Sequence, residues 1–111
     1  MLNRIDRINS ILKRELTLLI ATEIKDPRLD ILCSITKIRT SADLGKSVIH
    51  VSIMGDVKRQ KQAVEGLVSA AGFLRAMLGK NLFFKKIPEL EFLLDDSLDE
   101  EERIFSLLDN N

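Results

Sequence analysis

The sequence predicts a single α+β domain in which long helices and a small sheet share one core. Three observations carry this. Apolar residues recur at helical spacing from Leu2 to Ile24 and again from Lys58 to Leu82. Three shorter runs have strand character: Leu32 to Thr40, Lys46 to Met54 and Leu90 to Leu94. The length, 111 residues, is that of one domain spanning residues 1–111, with enough chain to bury a core unaided by disulfides.

The first helix carries Ile5, Ile8, Leu12, Leu16 and Leu19 within one stripe. Asn3, Arg7, Ser10 and Arg14 project close to the opposite side, with Arg4 at the flank. Such a face is solvated in most proteins, and it also suits a phosphate backbone. Pro27 pushes Asp26 out of helical geometry, so the helix ends near Ile24. The first strand is rich in β-branched residues, but Ile35 and Ile38 have opposite parity, which calls for a bulge or for burial on both faces. In the second strand, Ile49, Val51 and Ile53 alternate with Val48, His50 and Ser52. The short loop Ser41-Ala42-Asp43-Leu44-Gly45 predicts an antiparallel hairpin between the two strands. Lys37 and Arg39 share one strand face, either as part of a basic surface or as the wet side of the sheet.

Asp56 is a suitable N-cap for the next helical stretch. Val64, Leu67, Val68 and Ala71 share a face, and Leu74, Met77 and Leu78 repeat the spacing. Ser69-Ala70-Ala71-Gly72 lies between the two sets. Glycine inside a helix costs roughly 1 kcal/mol against alanine. The stretch therefore reads as two helices meeting at a kink, with Gly72 admitting another backbone; the alternative is one straight helix with a tolerated glycine. Phe83-Phe84-Lys85-Lys86-Ile87-Pro88 is a connector. Its aromatics resemble a stacking platform for bases, although at least one of them is expected to plug the core. Leu90, Phe92 and Leu94 then alternate as a third strand. Ser97 and Glu100 form a capping box for a short C-terminal helix with Leu98, Phe105 and Leu108 on its apolar side.

The formal net charge of zero hides an asymmetry. From Val57 to Pro88 the bases are Lys58, Arg59, Lys61, Arg75, Lys80, Lys85 and Lys86, against the single acid Glu65. From Glu89 to Asn111 the acids are Glu89, Glu91, Asp95, Asp96, Asp99, Glu100, Glu101, Glu102 and Asp109, against Arg103. A basic middle followed by an acidic tail suggests a polyanion-binding face with a segment that points elsewhere, or else charge pairing within the protein. No apolar run has the length of a membrane span, and the amphipathic N-terminus is not a secretory signal. Cys33, alone, fits a reducing cytoplasmic setting and a buried core thiol better than a reactive one.

Catalysis finds little support. His50 is the only histidine and has no ligand or nucleophile at useful spacing, so no metal site or catalytic triad can be assembled. No glycine-rich phosphate loop is present. Asp95, Asp96, Asp99 and Glu100 are the residues a magnesium-dependent nuclease would use, but capping and turn roles already explain them. No catalytic residue, metal or cofactor is expected.

The order helix, strand, strand, helix–kink–helix, strand, short helix resembles the type II KH arrangement, with helices on one face of a three-stranded sheet and the helix junction facing nucleic acid. A KH domain carries a GXXG loop at that junction; here Ala70-Ala71-Gly72 stands instead. In this departure nearly the whole chain resembles the bacterial ribosome-binding factor A family, whose helices join through an Ala-x-Gly kink. The matching segments include Arg4 to Asn9, Glu23 to Leu29, Ile35 to Ile38, Asp43-Leu44, Ala70 to Arg75, Pro88 to Phe92 and Asp95 to Ser97. Lys85 departs from the arginine usual in the family, keeping the charge but losing a bidentate fork. The extended basic tail of some members has no counterpart before Asn111, so the resemblance does not carry over a tail contact with RNA.

The resemblance implies a monomeric, non-enzymatic factor of ribosome biogenesis. It would bind free 30S small subunits and 16S rRNA, support late maturation and processing of the 16S rRNA 5′ end, and matter most in the cold. The expected RNA contact comprises Ala70, Gly72, Arg75, Lys80, Lys85 and Lys86, supported by Arg7, Arg14, Lys37 and Arg39. A protein–protein module without direct RNA contact, using the first helix or the acidic tail, is the alternative.

Overall fold

A computed structural model of the chain describes residues 3–95. The expected C-terminal helix, its Ser97 capping box and the acids from Asp96 onward lie outside the described residues. In chain order the elements are helix α1 (Arg4–Glu23), a 3-10 turn (Pro27–Leu29), strand β1 (Cys33–Thr40), strand β2 (Lys46–Ile53), helix α2 (Val57–Asn81) and strand β3 (Glu89–Leu94). The sheet order is β1-β2-β3, with β1 and β2 antiparallel and β3 parallel to β2. The two helices cover one face of this mixed sheet.

Local chemistry sets the element ends. The Asn3 side chain accepts the Asp6 amide at 2.8 Å and the Asp6 carboxylate accepts the Asn3 amide at 3.4 Å, a reciprocal cap one residue inside the expected helix start. The Asp56 carboxylate accepts the Arg59 amide at 2.8 Å and caps α2, as expected. Past Ile24 the chain does not simply extend. Asp26 accepts the Arg28 amide and holds the Arg28 guanidinium at 2.7 Å, folding Pro27–Leu29 into its own turn against α2. The hydrogen bonds from Arg28 hold the Asp26 carboxyl below its usual range.

The opposite parity of Ile35 and Ile38 has a physical cause in a bulge. The β1–β2 register shifts between Ile35 and Lys37, and this returns both isoleucines to the helix-covered face. There they join Leu12, Leu16, Ile49, Val51, Leu67, Leu74 and Leu78, seven side chains sealed from solvent.

The expectation of two helices split at Gly72 is corrected: α2 is one uninterrupted helix of 25 residues. Leu67 before Gly72 and Leu74 and Leu78 after it are all fully buried in the same core. Burying a leucine stabilises by roughly 1.5–3 kcal/mol, which outweighs the roughly 1 kcal/mol glycine penalty. Close backbone approach is also displaced from the expected position. A Cβ on Gly72 would meet nothing within 4 Å, whereas one on buried Gly66 would stand 3.3 Å from Leu29 and 3.4 Å from Arg28 in the 3-10 turn.

Gly55, between β2 and α2, has a φ of +120°, and a Cβ there would stand 2.9 Å from Ile31 Cδ1. Replacing it with alanine is expected to cost about 1–3 kcal/mol, read as a lower urea midpoint. A midpoint equal to that of the parent would show that the link relaxes freely.

Candidate nucleic-acid interface

Five pieces of chain meet at one end of the molecule: the start of α1, the β1–β2 loop, the end of α2, the 82–88 connector and the start of β3. Polar contacts lock them together. Thr40 Oγ1 donates to Asn9 Oδ1 of α1 at 2.5 Å and lies 2.7 Å from Ser47 Oγ, itself fully buried. The Glu89 amide donates to Gly45 O at 3.0 Å. Arg75 Nε and Nη2 both donate to Ile87 O, at 3.2 and 3.0 Å, tying the connector to α2. Pro88 and the half-buried Phe84 and Ile87 finish the anchoring.

A groove of about 380 Å³ opens at this end, lined by Arg4, Arg7, Ile8, Leu44, Phe83, Phe84 and Lys85. Among the described residues no carboxylate lines it. The two phenylalanines have separate fates: Phe84 packs on the core, as one of them was expected to, and Phe83 is wholly exposed. Lys86 stands near the Asp43 carboxylate, which is held below its usual range first by the Ser41 hydroxyl and the Gly45 amide and in lesser part by that lysine.

The ten residues expected at an RNA contact are only partly brought together. Arg7 and Lys85 line the groove, Arg14 follows Arg7 two turns along the exposed side of α1, and Lys86 adjoins the loop beneath. Arg75 and Lys80 do not flank a break between two helices. Five residues apart in one continuous helix, they project about 140° apart. Arg75 faces the connector, while Lys80 shares a flank with Phe73, which borders the chain leaving α1. Gly72 is exposed on the outer crest, and half-buried Ala70 faces Lys25 and Asp26.

Lys37 and Arg39 lie on the sheet face away from the helices, opposite His50 and Val48. That face also carries Glu91, in a 2.5 Å ion pair with Lys46, and its charge is therefore mixed. Of the two readings of Lys37 and Arg39, their position is that of the wet side of the sheet, because strand alternation sends these β1 cations to the side the helices leave open. Arg4, placed only at a helix flank by the sequence, is a groove residue; its signal was the capped helix start, which points the first turn at the loop.

Among the described residues no cluster of three or more His, Cys, Asp or Glu is arranged to hold a metal ion. No helix among them is long and apolar enough to cross a membrane. Burial pushes the Cys33 thiol up, away from the reactive thiolate.

A family model described as ribosome-binding factor A matches residues 4–108. The chain belongs to the ribosome-binding factor A family. It is 41% identical over 98 residues to ribosome-binding factor A of Acetivibrio thermocellus, covering 88% of this chain and 80% of that one. It is 38% identical over 108 residues to the Dictyoglomus thermophilum protein of the same name, covering 97% and 90%. The crystal structure of ribosome-binding factor A from Thermus thermophilus superposes with a TM-score of 0.72 at 28% identity, covering 81% of this chain and 93% of that one. A homology model of the Thermus factor, fitted into a cryo-EM map of its complex with the 30S subunit, gives a TM-score of 0.65 at 28% identity and covers 79% and 91%. The α+β fold of this family member is KH-like, and its α2 is one continuous helix.

Gly72→Ala separates a structural from a binding role for the glycine. With open space at its Cβ, the substitution is expected to raise stability by up to about 1 kcal/mol, seen as a higher melting temperature. A lower melting temperature would reveal packing at Gly72 that the structure does not contain.

Proposed function

We propose that this protein is a non-enzymatic assembly factor that binds the free 30S subunit through 16S rRNA. The observation that carries this reading is the groove at the loop end, where Arg4, Arg7 and Lys85 line the surface beside an exposed aromatic, with no carboxylate in the lining among the described residues. Cations so placed neutralise phosphates and release counterions, which gives affinity without base recognition. Arg14, Lys80 and Lys86 extend the charge along the neighbouring surfaces. Arg75 contributes chiefly by fixing the connector that carries Phe83 and Lys85. Lys37 and Arg39, on the open sheet face, touch a separate part of the particle or none.

Similarity to a factor fitted into a 30S complex supports the choice of partner. On this reading the protein acts as a monomer in the cytoplasm, late in small-subunit maturation. It supports 16S rRNA 5′-end processing, and its loss is felt most in the cold. Sedimentation of the tagged protein from cell extract tests the proposal. Co-migration with free small subunits, and not with whole ribosomes, is expected. Retention on a protein partner after nuclease treatment, with no subunit association, would replace it with a protein-binding module.

A further inference from the structure

We propose that Phe83 is a stacking platform for one unpaired RNA nucleotide, whose phosphates are held by Arg4, Arg7 and Lys85. This rests on the ribosome-binding reading and assigns it a nucleotide-level subsite. Phe83 is the most exposed large apolar residue among those described, at 105% relative exposure. Its backbone is nevertheless pinned. Phe84 beside it is packed on the core, Pro88 is buried, and the Arg75 guanidinium holds Ile87 O. The ring is therefore presented to solvent by an anchored connector, and a partner that covers it pays little to order it. Ile8, Leu44 and Phe84 give the groove an apolar lining, and its volume of about 380 Å³ falls in the range of small-ligand sites.

Three cations around an apolar face, with no acid in its lining among the described residues, match a ligand that is both flat and anionic. A nucleotide in a single strand is such a ligand. Every base offers a π-face to an aromatic ring, while its phosphates meet Arg and Lys. A base inside a duplex is already stacked on both sides and cannot reach the ring. An apolar protein segment would cover Phe83 and leave three cations unpaired. The site therefore selects an unpaired stretch of RNA over a helix.

The sequence contains no Trp, so Phe83→Trp introduces a lone indole reporter at the site. The full-length protein, its Phe83→Ala and Phe83→Trp variants and an Arg7→Ala/Lys85→Ala double variant are titrated with a single-stranded oligoadenylate decamer and with a paired RNA duplex of the same length. Phe83→Ala is expected to weaken decamer binding roughly tenfold to a hundredfold, with duplex binding and melting temperature unchanged. Phe83→Trp is expected to restore affinity, its fluorescence quenched by the decamer and not by the duplex. The double variant should weaken both RNAs and steepen neither salt dependence. Decamer binding by Phe83→Ala equal to wild type, or equal losses for decamer and duplex, overturns the stacking platform. The ribosome reading survives that result if the variant still sediments with small subunits; loss of subunit binding by the wild-type protein overturns both.

Discussion

Arg7→Glu combined with Lys85→Glu is expected to abolish co-sedimentation with free small subunits while leaving the fold intact. Both side chains line the groove and both residues are exposed, so neither reversal disturbs the core. A charge-assisted hydrogen bond is worth roughly 1.5–3 kcal/mol, so two lost contacts weaken binding by at least about a hundredfold before any repulsion is counted. The salt dependence should change in step. By analogy with duplex DNA, each lost phosphate contact lowers the log–log slope by about one. The control is Lys37→Glu with Arg39→Glu, on a sheet face that already carries Glu91. Its effect should be much smaller. If the control pair instead abolishes binding and the groove pair does not, the interface lies on the open sheet face.

The second large effect concerns α2. Leu67→Ala and Leu74→Ala each remove a fully buried side chain, on opposite sides of Gly72. Each is expected to cost about 2–5 kcal/mol, a large share of the 5–15 kcal/mol available to a small domain. Because α2 is one helix packed along one core, the two losses should be similar and each should lower a single cooperative urea transition. Hydrogen exchange gives the sharper reading. In the Leu67→Ala variant, amides of residues 73–81 should lose protection together with those of residues 60–66. Protection surviving only beyond Gly72 would show that the glycine divides the helix into two folding units.

Much of this architecture was legible in the residues, because it depends on local rules. Of the stripe Ile5, Ile8, Leu12, Leu16 and Leu19, all but the half-buried Ile5 turned into the core as spaced, the Asp56 cap formed, and Ile49, Val51 and Ile53 alternated into the core. The parity fault between Ile35 and Ile38 allowed either a bulge or burial on both faces, and a bulge is present. The Asp26–Arg28 turn was not legible. It uses a carboxylate and a guanidinium two residues apart, a pattern common in solvent-exposed loops.

The candidate interface was less readable than the fold. Its cations are far apart in sequence, Arg4 and Arg7 near one end and Lys85 near the other. They come together because Asn9, Thr40 and Ser47 join the start of α1 to the hairpin, and because Arg75 draws the connector back onto α2. The sequence by itself determined the α+β class, the core stripes, the strand pair and the family. Each follows from residue spacing along the chain, where period and side-chain type suffice. The tertiary structure alone decided that α2 is unbroken at Gly72, that Phe84 turns in while Phe83 turns out, and that Lys37 and Arg39 face away from Arg7 and Lys85. These outcomes depend on which surfaces are buried together, a sum over long-range contacts that no local window contains.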